Sequence, residues 1–224
     1  MSHPKGEIPA DTLVQLQGLT LDPNRPLIIT DADEVLLKFM QRVEHYLETL
    51  GLWIDLSSFA LSTNIKSRET NESVQIPTLI DDFFASETPF IEAADGAADT
   101  LSSLSEHAQI IVLTNLPAAH REARIENLKG HDMAYPVVVN SGLKGPAAKW
   151  LADKTTGPVF FLDDIPHNIT SVAEHAPDVN CIHFIADPRL AKLISKAEGA
   201  TARIDIWAEA HDFISGKIAE HASR

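Results

Sequence analysis

Residues 26–37 read PLIITDADEVLL, so two carboxylates, Asp31 and Asp33, stand one residue apart at the end of a short apolar run. In an extended chain residues i and i+2 point to the same side, and the two acids are expected to project together from the carboxyl end of a strand. Like charges that close repel one another unless a cation lies between them or one takes a proton. The pair therefore points to metal binding, to acid/base chemistry or to both, with an acidic turn after a strand as the plain structural alternative.

Further polar residues follow later apolar runs. The run at 110–113 ends in Thr114-Asn115, that at 137–139 in Asn140-Ser141 with Lys144 close by, and that at 159–162 in Asp163-Asp164. Each has a ready explanation as a cap or turn residue. Together they are informative, because an open α/β sheet brings separate strand ends to one rim, where its ligands bind. Such a rim suits phosphoryl transfer to an aspartate: a carboxylate attacks phosphorus once Mg²⁺ screens their repulsion, and the acids Asp163 and Asp164 can help hold the ion. Thr114 and Asn115 can hold phosphoryl oxygens, and a lysine can neutralise the charge that those oxygens and the acids share. Asp33 can give a proton to the leaving alcohol and later take one from water.

The elements that must position these residues are legible in outline. A strand after Pro26 is followed from about Leu36 by a helix with Phe39, Val43, Tyr46, Leu47 and Leu50 on one face and Gly51 as its stop. Residues 52–86 are irregular, with the polar centre TNIKSRETNES between apolar segments at 53–61 and 76–84, and read as a small helical insertion with a helix after Pro77. From Pro89 onward apolar runs alternate with helical stretches at 93–106, 117–128, 146–153, 169–175 and 188–197. A further run at 182–185 and another possible strand at 202–207 complete the series. This alternation predicts an α/β doubly wound, mainly parallel sheet covered on both faces. The catalytic core is expected over 1–37 and 89–224, and a helical cap over 38–88. Residues 1–22 mix helical and strand spacing and read as an N-terminal arm.

Composition narrows the function classes. Lys and Arg number 18 against 32 Asp and Glu, and the formal charge of −14 opposes nucleic-acid binding. The single cysteine, Cys181, lies in an apolar run and reads as a core residue, and no His pair has metal-ligand spacing. No stretch approaches the ~18 apolar residues of a membrane span, nor is there a signal-peptide apolar region, so a cytoplasmic protein acting on a small phosphorylated metabolite is expected. Dinucleotide, P-loop and nucleophile-elbow motifs are absent.

The order and spacing of these residues resemble the haloacid dehalogenase-like (HAD) superfamily. DADEV at 31–35 is similar to its DxDx(T/V) motif, IIVLTN at 110–115 to its second motif, SGLKGPAAKWL at 141–151 to its lysine motif and VFFLDD at 159–164 to its acidic motif. The resemblance spans about 26–187. It implies a HAD-like Rossmannoid core and a Mg²⁺-dependent phosphatase working through an aspartyl-phosphate. Asp31 would be the nucleophile, Asp33 the acid/base, Thr114 a phosphate ligand and Lys144 the charge stabiliser. Asp31, Asp163 and Asp164, with the main-chain carbonyl of Asp33, would hold the metal. Lys144, in the loop before a helix, fits the lysine motif better than Lys149 inside it. Glu34 departs from the pattern, standing where many relatives carry a small residue; it either points into the insertion as a specificity element or covers the strand end. His167, Asn168 and Arg121 read as exposed loop residues, and Asp187-Pro188 as a helix cap. The same nucleophile could serve carbon–halogen hydrolysis, against which Asp33 and the Asp163-Asp164 pair argue. A non-catalytic binding or regulatory protein on the same fold is the reading of a different class.

Overall fold

A computed structural model describes residues 6–57 and 64–223. Among these residues the main sheet has six strands, β1 (Leu27–Thr30), β4 (Gln109–Asn115), β5 (Val137–Asn140), β6 (Val159–Asp163), β7 (Asn180–His183) and β8 (Ala202–Arg203). All are parallel, in the order β5-β4-β1-β6-β7-β8. Helices α4 (Ala97–Ser105), α5 (Arg121–Gly130), α6 (Gly145–Ala152) and α7 (Pro166–His175) connect the strands. Successive strand residues enter different cores. Ile28, Ile110, Val112, Phe160 and Leu162 pack on one face, while Leu27, Ile29, Ile111, Leu113 and Phe161 pack on the other. Near-continuous apolar strands are what a sheet buried on both faces requires. β1 lies between β4 and β6, with Thr30 opposite Val112 and Leu162, so the residues after these three strands meet at one edge.

The insertion is not purely helical. Helix α2 (Phe39–Thr49) ends before Gly51, whose φ of +70° suits a glycine after a helix C-terminus. An antiparallel ribbon of β2 (Leu52–Ile54) and β3 (Ile65–Ser67) follows, and then α3 (Leu79–Glu87). Alternation does the work in β2: Leu52 and Ile54 are buried while Trp53 faces outward, where Lys66 lies 5.2 Å over its ring. The apolar segment expected at 53–61 falls partly outside the described residues. Met40, Leu47, Ile54, Ile65, Phe83 and Phe84 belong to the same buried cluster as Ile28 and Phe160, so the insertion packs directly on the sheet's upper face.

Three other expectations are corrected. Within the supposed N-terminal arm, α1 (Ala10–Gln17) is a docked helix: Leu16 is buried, Thr12 donates to the Val139 carbonyl, and Gln15 both accepts from the Val139 amide and donates to its carbonyl. Two polar side chains thus occupy the open edge of β5, which leaves the segment with too few apolar residues to show a clear period. The helix expected over 188–197 stops as α8 (Pro188–Ala191), because Arg203 donates to the carbonyls of Ala191 and Ile194, which a longer helix would otherwise have to satisfy. At 202–207 only Ala202–Arg203 is strand, and Trp207 opens a long helix, α9 (Trp207–Ala222), that sequence spacing did not reveal. No helix among the described residues is long and apolar enough to cross a membrane.

Helices α6 and α7 approach so closely that a side chain at Gly145 would collide with the main-chain oxygen and hydroxyl of Ser171 and with the His175 ring. Gly145→Ala is therefore expected to destabilise the fold by about 1–3 kcal/mol, read from urea unfolding, since two helices must part to admit one methyl.

Candidate active site

The carboxyl ends of β1 and β6 and the loop before α6 place three acids around one base. The fully buried Lys144 ammonium lies 2.7 Å from Asp31 Oδ2 and 2.7 Å from Asp163 Oδ2. Asp31 is fixed by its amide, which donates to the Leu162 carbonyl, and by Ala32 N–H, which donates to Asp31 Oδ1 at 2.6 Å. Asp163 Oδ1 accepts from the Ile165 amide at 2.9 Å and from Asn168 Nδ2 at 3.0 Å. Ligand atoms of Asp31, Asp163 and Asp164 all lie within 4.8 Å of one another, and all three residues are buried. Burial pushes Asp163 up to about 6 against the pull of Lys144, and burial with the neighbouring Asp163 and Asp31 pushes Asp164 well above the usual carboxylate range. Burial alone would lower the Lys144 pKa, but Asp163 and Asp31 more than reverse this and hold it charged. Lys149, by contrast, pairs with Asp153 at the surface.

A second layer orients Asp164. Buried His183 lies 2.9 Å through Nε2 from the Asp164 carbonyl, while its Nδ1 lies 3.0 Å from the Ala197 amide. Since that amide can only donate, Nδ1 is the acceptor and Nε2 carries the proton given to Asp164.

Asp33 lines the same cleft as Asp31, but a turn and not an extended strand places it there. β1 ends at Thr30, and the chain then turns so tightly that the amides of Val35, Leu36 and Leu37 all donate to the Ala32 carbonyl. The Asp33 carboxylate meets Arg124 of α5, with Nη2 2.6 Å from Oδ1, and among the described residues no main-chain amide donates to the Asp33 carbonyl. Burial raises the Asp33 pKa, an effect that Arg124 opposes. Arg124 is wholly buried, and its Nε and Nη1 have no hydrogen-bond partner among the described residues. It was not singled out in the sequence, although Arg124, Asn127 and Leu128 form the buried i, i+3, i+4 face of α5, and an arginine there is a usable signal.

Glu34 has φ +58° and is buried, with Oε2 accepting the Met40 amide at the start of α2 and its carbonyl accepting the Ala186 amide. Burial pushes its carboxyl up to about 7. It covers the strand end and ties it to the start of α2. Trp207 supports the same loop by donating from Nε1 to the Val35 carbonyl at 3.1 Å.

Thr114 is buried on β4, and its hydroxyl has no partner among the described residues. Asn115 donates to the Gly142 carbonyl and accepts from Asn140, which ties the ends of β4 and β5 to the loop before Lys144. Asn168, expected to be exposed, is buried because it ligates Asp163, whereas His167 does lie exposed. Arg121 joins α5 to the edge strand by donating to the Val137 carbonyl, and the Asp187 side chain accepts from the Arg189 amide as a helix cap.

A cleft of about 240 Å³ is lined by the polar residues Asp31, Asp33, Glu34, Asn115, Asp164 and Asn168 and by the apolar residues Phe39, Met40, Ile80, Phe84, Ile165 and Leu190. Three adjacent buried carboxylates with one shared ammonium leave excess negative charge. Among the described residues no protein donor reaches the Asp164 carboxylate. This is a hard, oxygen-only donor set that fits Mg²⁺.

No family model and no curated protein matches the sequence. Solved structures do. A haloacid dehalogenase-like family hydrolase from Xanthomonas campestris superimposes with a TM-score of 0.55 at 12% identity, over 91% of this chain and 100% of that one. CbbY from Rhodobacter sphaeroides, in complex with phosphate, gives 0.52 at 16% identity, over 83% and 96%. YfnB from Bacillus subtilis, bound to magnesium, gives 0.52 at 9% identity, over 86% and 99%. The chain has the haloacid dehalogenase-like fold, with a buried acidic cluster at the carboxyl edge of its sheet.

Proposed function

We propose that this chain is a Mg²⁺-dependent phosphatase that hydrolyses a small phosphate monoester through an aspartyl-phosphate on Asp31. The carrying observation is Lys144, whose ammonium bridges Asp31 and Asp163 at 2.7 Å each beside Asp164. Asp31, Asp163, Asp164 and the Asp33 carbonyl would hold Mg²⁺, which when bound screens the carboxylates from the phosphate and polarises a phosphoryl oxygen.

The chain's own residues supply the rest. Asp31, held by Ala32 N–H and Lys144, is oriented to attack phosphorus through a carboxylate oxygen. Lys144 stays charged throughout and offsets the negative charge that gathers as the ester oxygen departs. The orphaned Thr114 hydroxyl and the Asn115 side chain offer polar contacts to phosphoryl oxygens. Asp33 gives its proton to the leaving alcohol, then takes one from the water that releases phosphate from Asp31. Residues 38–88 act as the cap that excludes water and selects the alcohol. Carbon–halogen hydrolysis would also begin at Asp31 but leaves Asp33, Asp163 and Asp164 without a part.

The test is turnover of 4-nitrophenyl phosphate with Mg²⁺ and after chelation. Phosphate release that needs the metal supports the reading, and equal rates with and without it would refute it. Arg124 gives a finer check. Arg124→Met is expected to lower kcat about 10–100-fold with a smaller change in KM, because Asp33 loses the cation paired with it at 2.6 Å, whereas Arg124→Lys should retain part of the rate.

A further inference from the structure

From the cleft we infer that the leaving group is a short, apolar alcohol or phenol carrying no second anionic group, an inference that rests on the phosphatase reading above. The polar residues that line the cleft are committed in that reading to the acid chemistry and the phosphoryl group. The apolar residues left to meet the alcohol are Phe39, Met40, Ile80, Phe84, Ile165 and Leu190. Four of these come from α2 and α3, so the insertion presents an apolar face to the site. At about 240 Å³ the whole cleft is small, which suits an alcohol no larger than a single ring.

The wall is as informative for what it omits. Among the described residues that line it there is no lysine, arginine or histidine. The two cations of the site are spoken for: Lys144 lies between Asp31 and Asp163, and Arg124 lies behind Asp33. A substrate with a second phosphate or a carboxylate would bury that charge against aromatic and aliphatic surface beside the Glu34 carboxyl, with no counter-ion among the described residues that line the cleft. Burying an unpaired charge is far more costly than leaving out a favourable contact, so rejection of anions is the stronger part of the selection. Apolar carbons gain what the anion loses, because Phe39 and Phe84 offer ring faces and edges to a planar or aliphatic group.

A matched pair reads this directly. Phenyl phosphate is expected to be hydrolysed with a kcat/KM at least about 100-fold above that of 4-carboxyphenyl phosphate, which differs by one anionic group at the far end. In Ile80→Arg, a change on a half-exposed position of α3, the ratio should fall at least about 10-fold, since a cation then faces the carboxylate. A ratio near one in the wild-type protein, or a preference for the carboxylated ester, overturns the inference even though phosphatase activity stands. A ratio that Ile80→Arg does not move overturns the role given to the insertion. Failure of the phosphatase reading looks different, with neither of these esters nor 4-nitrophenyl phosphate being turned over.

Discussion

Asp31→Asn is expected to lower turnover of an aryl phosphate by at least about 10⁴-fold while leaving the fold intact. The amide cannot attack phosphorus to form the acyl phosphate, and no other carboxylate is placed to replace it. Asp163 is held by Lys144, Asn168 and the Ile165 amide, and Asp33 is turned toward Arg124. The stability argument runs separately. Removing the Asp31 charge costs Lys144 one of its two partners but also relieves repulsion with Asp163 and Asp164, which lie in the same cluster. These effects oppose one another, so metal-free unfolding of Asp31→Asn should differ little from that of the wild-type protein. Steady-state kinetics and urea unfolding on the same preparation check both halves. Full activity in the variant would remove Asp31 from the chemistry, and a large loss of stability would make the kinetic result uninterpretable as a nucleophile test.

Much of this site was legible because strand ends are local features. A run such as VFFL followed by two acids announces both the strand and the rim residue, and the α/β alternation then brings separate rims together. Contacts made by elements with weak local patterns could not be seen in this way. Arg124 reaches Asp33 across 91 positions, and Trp207 reaches the Val35 carbonyl across 172, from helices whose partners only the folded chain supplies. The ribbon β2-β3 escaped because three-residue strands are shorter than any periodicity test can resolve. The two-residue spacing of Asp31 and Asp33 was argued from an extended chain, whereas β1 ends at Thr30 and a turn closed on the Ala32 carbonyl sets Asp33 against Arg124 of α5, with both acids lining one cleft.

Lys144→Met separates electrostatics from packing at the centre of the site. Methionine keeps most of the unbranched apolar stem, so the change chiefly deletes a buried charge. Asp31 and Asp163 are then left close together and buried without a counter-ion, and removing one partner of such a group costs about 3–5 kcal/mol. The penalty should depend on pH. With Lys144 present, Asp163 already titrates in the folded protein at about 6, above its ordinary value of 3.8, because burial outweighs the lysine. A carboxyl raised on folding contributes most stability when protonated and loses that contribution as pH rises through its folded pKa. Deleting Lys144 removes the term that holds this value down, so the loss must extend to higher pH in the variant than in the wild-type protein. Metal-free urea unfolding at pH 5 and pH 8 should therefore show a wider gap between the two proteins at pH 8, and Mg²⁺ should narrow it by supplying positive charge to the same carboxylates. A gap independent of pH would mean that Lys144 acts there through packing, and its part in stabilising the departing charge would have to be given up with it.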